Sequence, residues 1–302
     1  MGNERDHDVV VVGGGPTGTG VAVFTARYGF DTAVYDRGNA ALARAAYVEN
    51  YPGFPGGIDT ETLTALFHDH LDEVGATLRP DVVDAVERDD EGFRVTPAEG
   101  EPVTAQCVVA AAWYDASYLD PLDEDGEMFE VHEHHGEDRE QLDRDVPDAD
   151  GRTHIDGLYV AAPTDSRNAQ VAIATGHGAH VARTLLEDHR RDEGLAGEVA
   201  PHYDWLRPES EFSGDWGDRE RWREWFDNEM GETDLPDDEV ATLRERYIDR
   251  AFETELSPEE IAARRDRGHR RLVEHLGTDA VLDAIRDEEI QAYLDENSGI
   301  GQ

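Results

Sequence analysis

The sequence predicts an α/β fold, a doubly wound Rossmann-like dinucleotide-binding domain with a small antiparallel β-element and a C-terminal α-helical domain. Three observations carry that prediction. Val9 to Val12 form an apolar run that ends in Gly13, Gly15 and Gly18, the G-x-G-x-x-G spacing of a strand–turn–helix dinucleotide site. Asp36 closes the next apolar run, 18 residues beyond Gly18, where an acidic residue hydrogen-bonds an adenosine ribose. Apolar strand patterns then alternate with helical ones up to about residue 190, after which the pattern is helical throughout.

The elements follow in order. Residues 8–36 read as strand, glycine turn, helix and strand, with Gly29 as the C′ residue of the helix. Asp59–Val74 reads as an amphipathic helix with Leu63, Leu66, Phe67 and Leu71 on one face. Val82–Arg88, Phe93–Thr96 and Pro102–Ala112 read as a small antiparallel set. Asp120–Asp156 reads as acidic and irregular, Leu158–Ala162 as an apolar strand, and Gln170–His189 as a helix. From about Asp192 tryptophans precede three or four helices. Ser257-Pro258-Glu259-Glu260 is a capping box with proline at the first helical position, and Gly277 stops that helix. Thr278–Leu294 reads as one further helix. Two domains are expected, residues 1–192 and 193–302, a division that 302 residues accommodate with ample core.

Composition narrows the function. The chain carries 70 acidic and 27 basic residues, a formal net charge of -43, and every basic residue other than histidine is arginine. The acids are spread along the chain, which fits a protein built for molar salt better than one with an acidic tail. Nucleic-acid binding is disfavoured at this charge, since phosphate contacts need a positive face. The cluster Arg264, Arg265, Arg267, Arg270 and Arg271 reads first as a helix face paired with the protein's own carboxylates, and second as an anion or partner site. No apolar run reaches the about 18 residues of a membrane span, and Met1 to Asp6 lacks an apolar signal core, so a cytoplasmic protein without membrane contact is expected. Cys107 is the single cysteine and reads as a core residue in a strand.

Asp8–Gly18, the segment Asn50-Tyr51-Pro52-Gly53-Phe54-Pro55 and the stretch from Gly157 through Gly178 together resemble thioredoxin-reductase-like FAD-dependent oxidoreductases, over residues 7–190. The resemblance implies FAD as cofactor. It implies that Gly13, Gly15 and Gly18, with Pro16 opening the helix, admit the pyrophosphate to a helix N-terminus. It implies that Asp36 binds the adenosine ribose and that Val82 and Val83 border the adenine. Asn50 and Pro52 would lie near the isoalloxazine, and Gln170 and Val171 would present N–H groups to its N1–O2 edge. Asp165, in Pro163-Thr164-Asp165, would meet the ribityl chain if its loop shifts by one residue.

The chain also departs from that family. The family's NADPH-binding domain needs on the order of a hundred residues, whereas Asp120–Asp156 offers 37 and no glycine fingerprint. A lone Cys107 cannot make a C-x-x-C pair. The stretch Gly38 to Arg44 lacks paired glycines, and Trp113 stands where the family has a small turn residue. His132, His134 and His135 read as a solvated loop and not as a metal site, because three histidines within four residues cannot all face one ion on a regular element. His177 reads as a helix side chain in solvent or, more sharply, as a flavin-tuning group. Trp222, Trp225 and Phe226 share a helix face, most simply as core, alternatively as a lid, dimer contact or docking surface. The expected function is that of an FAD-dependent oxidoreductase using an external donor, transient NAD(P)H or a redox protein. The alternative is a non-catalytic FAD- or nucleotide-binding scaffold. No catalytic acid, base or thiol is identifiable, no metal is expected, and a homodimer is possible on the aromatic face.

Overall fold

The computed structural model describes residues 5–38, 40–90, 92–112, 116–134, 137–162 and 170–297. In chain order the first elements are β1 His7–Val12, α1 Pro16–Tyr28, β2 Thr32–Tyr35, α2 Thr60–Glu73, β3 Thr77–Arg79, β4 Val83–Asp89, β5 Gly92–Pro97 and β6 Val103–Ala110. Next come the hairpin β7 Phe129–His134 and β8 Glu137–Leu142, then β9 Leu158–Val160 and α3 Val171–Asp192. One seven-stranded sheet runs β3-β2-β1-β6-β5-β4, with β9 also on β6. β1 is central and parallel to both β2 and β6. Its four consecutive valines are buried on both faces, as an interior parallel strand requires.

The antiparallel set expected over 82–112 forms as β4, β5 and the first half of β6, and it is continuous with the parallel sheet. β6 serves two partners on the same edge. Its first half pairs antiparallel with β5 through Ala105 and Val103, and its second half pairs parallel with β9 through Val108 to Ala110. A single strand therefore joins the meander to the parallel sheet. Val9, Val11, Val34 and Val109 point to the face covered by α1 and α3, where Leu185 and Leu186 are buried. Val10, Val12 and Val108 point to the other face, which Tyr118, Leu119, Leu122 and Met128 close. The stretch expected to be irregular over 120–156 thus contains a hairpin and helps to roof the sheet.

α1 and α3 cross at glycines. A Cβ on Gly178 would fall on the carbonyl oxygen of Thr17, and one on Gly20 on the carbonyl oxygen of Thr175, both fixed backbone atoms. Neither can move as a side chain would, so Gly178→Ala is expected to cost about 3 kcal/mol or more by overpacking. Thermal melts in molar KCl check this. A Gly178→Ala melting temperature equal to wild type would mean that the two helices do not cross this closely.

The remaining elements are β10 Arg207–Pro208, α4 Arg219–Glu229, α5 Asp237–Phe252, β11 Glu255–Leu256, α6 Pro258–Leu276, α7 Thr278–Asp283 and α8 Asp287–Asn297. The Ser257–Glu260 capping box forms, and Gly277 ends α6 with φ +79°. The last helix expected over 278–294 is broken into α7 and α8. Trp222 and Phe226 are buried and Trp225 packs partly buried beside them, so the aromatic face is core rather than a lid. That core is fastened to the far ends of α1 and α3. The buried Arg190 guanidinium donates to the carbonyls of Val199 and Ala200, and Arg250 donates to the Tyr28 carbonyl at 2.6 Å while lying 4.0 Å over its ring. Tyr28 ends a 13-residue helix, so this attachment is about 20 Å from the glycine turn.

His202 sits in that attachment, 4.9 Å from the Tyr28 ring. Burial first, then the Arg250 and Arg190 charges, pushes its imidazole down to about 4. The unfolded chain therefore takes up this proton before the folded chain does. The contribution to stability is whole above about pH 6.5 and is lost as pH falls toward 4. Between pH 7 and 5.5 the loss is about 1 kcal/mol at most. Melts of wild type and His202→Gln over this range test it, and wild type should lose more than the variant.

Candidate functional site

The C-terminal ends of β1 and β6 and the N-terminal ends of α1 and α3 open on one cleft of about 530 Å³, within the size range of cofactor sites. Of the residues singled out in the sequence, Gly13, Gly15, Pro16, Asp36, Val83, Gln170 and Val171 line it, together with Val82. Asn50 donates its side-chain amide to the Gln170 side-chain oxygen and so orders the rim. Pro52 is exposed on the 51–57 turn and does not line the cleft. Asp165 and Trp113 lie outside the described residues. Gly18 also does not line the cleft. It is buried, and a Cβ there would fall on the Gly13 carbonyl oxygen, so its task is close packing under the turn and not contact with a ligand.

The glycines divide the work. Gly13 has φ +111°, and its Cβ would meet the Ala112 nitrogen at 2.8 Å, so the turn itself requires glycine. Gly14 packs on the Asp36 side chain. Gly15 differs. Its backbone is extended at φ -70°, and the nearest atom to a Cβ would be the Ala40 methyl at 3.4 Å. Nothing in the protein demands a glycine there. The space a side chain would take is the cleft above the helix N-terminus.

Electrostatics single out the same place. Among the described residues, α1 and α3 are the only α-helices with no acidic residue in the first turn, and neither has a side-chain N-cap. Both N-termini face the cleft, with their backbone N–H groups and the positive end of the helix dipole available to an anion. In a chain with 70 acidic residues this is a local reservation of positive potential.

Asp36 ends β2 at the opposite side of the cleft. The imidazole of His68, on α2, and the Gly38 N–H hold its carboxyl below the usual carboxylate range. His68 Nε2 lies 3.8 Å from Asp36 Oδ2, too long for a hydrogen bond, and this buried atom has no hydrogen-bond partner among the described residues. Asp36 is thus an ionised acceptor at neutral pH. Sequence reasoning missed His68, as well as Tyr35, Arg37 and Tyr118 in the lining. Only the position of His68 one residue beyond Phe67, on the border of the apolar face of α2, hinted at it.

His177 lies within α3, in its second turn, and is not part of the lining. His132 belongs to β7, where its Nε2 is 2.6 Å from Glu130, so this part of the sequence is a strand and not a loop, while His135 lies outside the described residues. Cys107 is half-buried in β6, and burial pushes its thiol up to about 12. It is therefore protonated and a poor nucleophile at neutral pH.

No family model matches this chain. The thioredoxin reductase of Aquifex aeolicus is 30% identical over 111 residues, 36% of this chain and 34% of that protein. The thioredoxin reductase of Bacillus subtilis is 31% identical over 115 residues, 37% of this chain and 35% of that protein. The chain spans about a third of the length of these curated relatives. Among solved structures, a thioredoxin reductase from Gloeobacter violaceus matches with a TM-score of 0.51 and 16% identity, covering 67% of this chain and 98% of that one. The covered part of the chain has the FAD-binding fold of the thioredoxin reductases, with a parallel-sheet Rossmann-like core. No helix among the described residues is long and apolar enough to cross a membrane.

Proposed function

We propose that this chain, with its thioredoxin-reductase-like oxidoreductase fold, is an FAD-dependent oxidoreductase that has no dithiol of its own and draws on an external electron donor. The single observation that carries the reading is the convergence of two uncapped, acid-free helix N-termini on one cleft whose near wall is Gly15. The residues fit an extended dinucleotide. The α1 N-terminus at Gly15 would hold the pyrophosphate. Asp36, kept ionised, would accept from the ribose hydroxyls, and Val82 and Val83 would flank the adenine. Gln170, held by Asn50, and Val171 would place the α3 N-terminus against the redox end. Bound FAD supplies two-electron chemistry. The chain's part is to bind it, orient it, and set a positive helix end where negative charge develops.

Between Ala110 and Leu158 the described residues supply a 3-10 turn and one hairpin, far short of the on the order of a hundred residues of a second nucleotide domain. The donor is therefore expected to be free NADH or NADPH bound transiently, or a partner redox protein. The same segment, together with the high thiol pKa of Cys107, favours a second reading, a scaffold that keeps FAD or an adenine nucleotide without turnover. An absorbance spectrum of protein purified in molar KCl decides, taken before and after anaerobic NADH, NADPH and dithionite. Bleaching of a flavin band by a nicotinamide supports the oxidoreductase with a transient nucleotide donor. Bleaching by dithionite alone points to a protein donor. A colourless protein that takes up no added FAD overturns the oxidoreductase reading.

A further inference from the structure

We propose that α6, α7 and α8 form the surface through which two copies of this chain pair. From Pro258 to Glu296 no described residue is buried. Helices of 19, 6 and 11 residues gain little stability alone, and an amphipathic helix persists by burying its apolar stripe. Here the stripe is left about half exposed beside the contact with α2. α6 leans on α2 through charged groups: Arg267 pairs with Glu73, Arg271 with Asp69, and His275 Nε2 lies 3.0 Å from Asp69. Its apolar residues Ile261, Leu272 and Leu276, at separations of eleven and four, share another face and are 42%, 48% and 56% exposed. Leu282 on α7, Ile285 in the link after it and Leu294 on α8 add further exposed apolar surface. Apolar surface gathered on one arm in this way marks an association site.

Charge identifies the occupant as a second copy. The middle of α6, Arg264 to Arg271, has five arginines and one acid, Asp266. Asp279 to Glu296 has seven acids and one arginine, Arg286. The contacts to α2 come from Arg267 and Arg271, while Arg264 acts on Glu260 of α6 itself, so neither Arg264 nor Arg270 is used by α2. A two-fold axis sets the α6 of each copy against the α7–α8 segment of the other, satisfying both charge blocks twice while the apolar stripes meet. Another acidic protein would match the arginines alone. A second copy matches the arginines, the acids and the apolar stripe together. In molar salt the charges would set register, and burial of the stripe would supply the affinity.

Sedimentation velocity of the full chain in about 2 M KCl tests this independently of the flavin reading. The wild type is expected at twice the 33.6 kDa chain mass. The double variant Leu272→Asp/Leu276→Asp is expected at the single-chain mass, with its far-ultraviolet circular dichroism unchanged. Arg264→Glu/Arg270→Glu should raise the dimer Kd at least about tenfold, and mixing it with an Asp287→Arg/Glu288→Arg chain should restore a dimer of one copy of each. A wild type that stays single at about 100 µM, where a dimer with a Kd of about 10 µM would be populated, overturns the proposal. So does a dimer whose Kd neither double variant changes.

Discussion

Gly15→Val is expected to fold and to emerge from purification without flavin, its FAD affinity lowered at least about a hundredfold, or about 3 kcal/mol. The reason lies in the contrast among the glycines of one turn. Gly18→Val should not fold, because its Cβ would occupy the Gly13 carbonyl, and Gly13→Val is barred by φ +111° and the Ala112 backbone. At Gly15 the backbone is extended and the protein leaves room. Valine there loses some N-cap preference, about 1 kcal/mol, and puts its branches into the space above the α1 N-terminus. That is where a pyrophosphate must come close enough to receive backbone N–H groups. Fluorescence titration with FAD and a thermal melt of the apoprotein separate the two effects. An undiminished affinity with a normal melt would show that no phosphate lies over Gly15, and would remove the main support for FAD in this cleft.

The parts of this arrangement that were legible in the sequence are those in which neighbouring residues solve a local problem. The valine run of β1, the glycine turn, Asp36 at the end of β2, the apolar face of α2 and the Ser257 capping box are each decided by residues close in sequence. What escaped depends on contacts between distant segments. β6 looks like a plain member of an antiparallel set until Leu158–Val160 returns to pair with its second half. Gly18 looks like a ligand contact because spacing cannot separate a glycine that meets phosphate from one that meets another turn. His68 becomes relevant only when α2 packs beside β3, the neighbour of β2, and brings Nε2 near Asp36. The hairpin β7–β8 is rich in Glu, Asp and His, residues without strong strand preference, and it pairs as a strand despite them.

Lowering KCl from about 3 M to about 0.1 M is expected to unfold this chain, or to lower its melting temperature by on the order of 20 °C. The acids come in adjacent groups, among them Asp89-Asp90, Asp123-Glu124-Asp125, Asp237-Asp238-Glu239 and Asp287-Glu288-Glu289. Consecutive Cα atoms are about 3.8 Å apart, so neighbouring carboxylates in such groups lie several ångströms apart. That distance is inside the Debye length of about 10 Å at 0.1 M and outside the about 3 Å at 1 M. Arginines cannot neutralise them all, since 27 face 70. The pairs that do form also weaken with salt. They are mostly exposed, however, as at Arg219–Asp249 and Arg286–Glu289, and exposed pairs contribute little. Repulsion among the surplus acids therefore decides the sign, and salt stabilises. The effect should be graded along the chain. α6 to α8 have no buried residue to resist it, while β1, with Val9, Val10 and Val11 at 0% exposure, is held by burial that salt does not weaken. Circular dichroism across a KCl series, paired with hydrogen exchange, reads both parts. A melting temperature that stays level from 3 M to 0.1 M would mean that the acidity is balanced within the fold, and the expectation of a protein built for molar salt would fall with it.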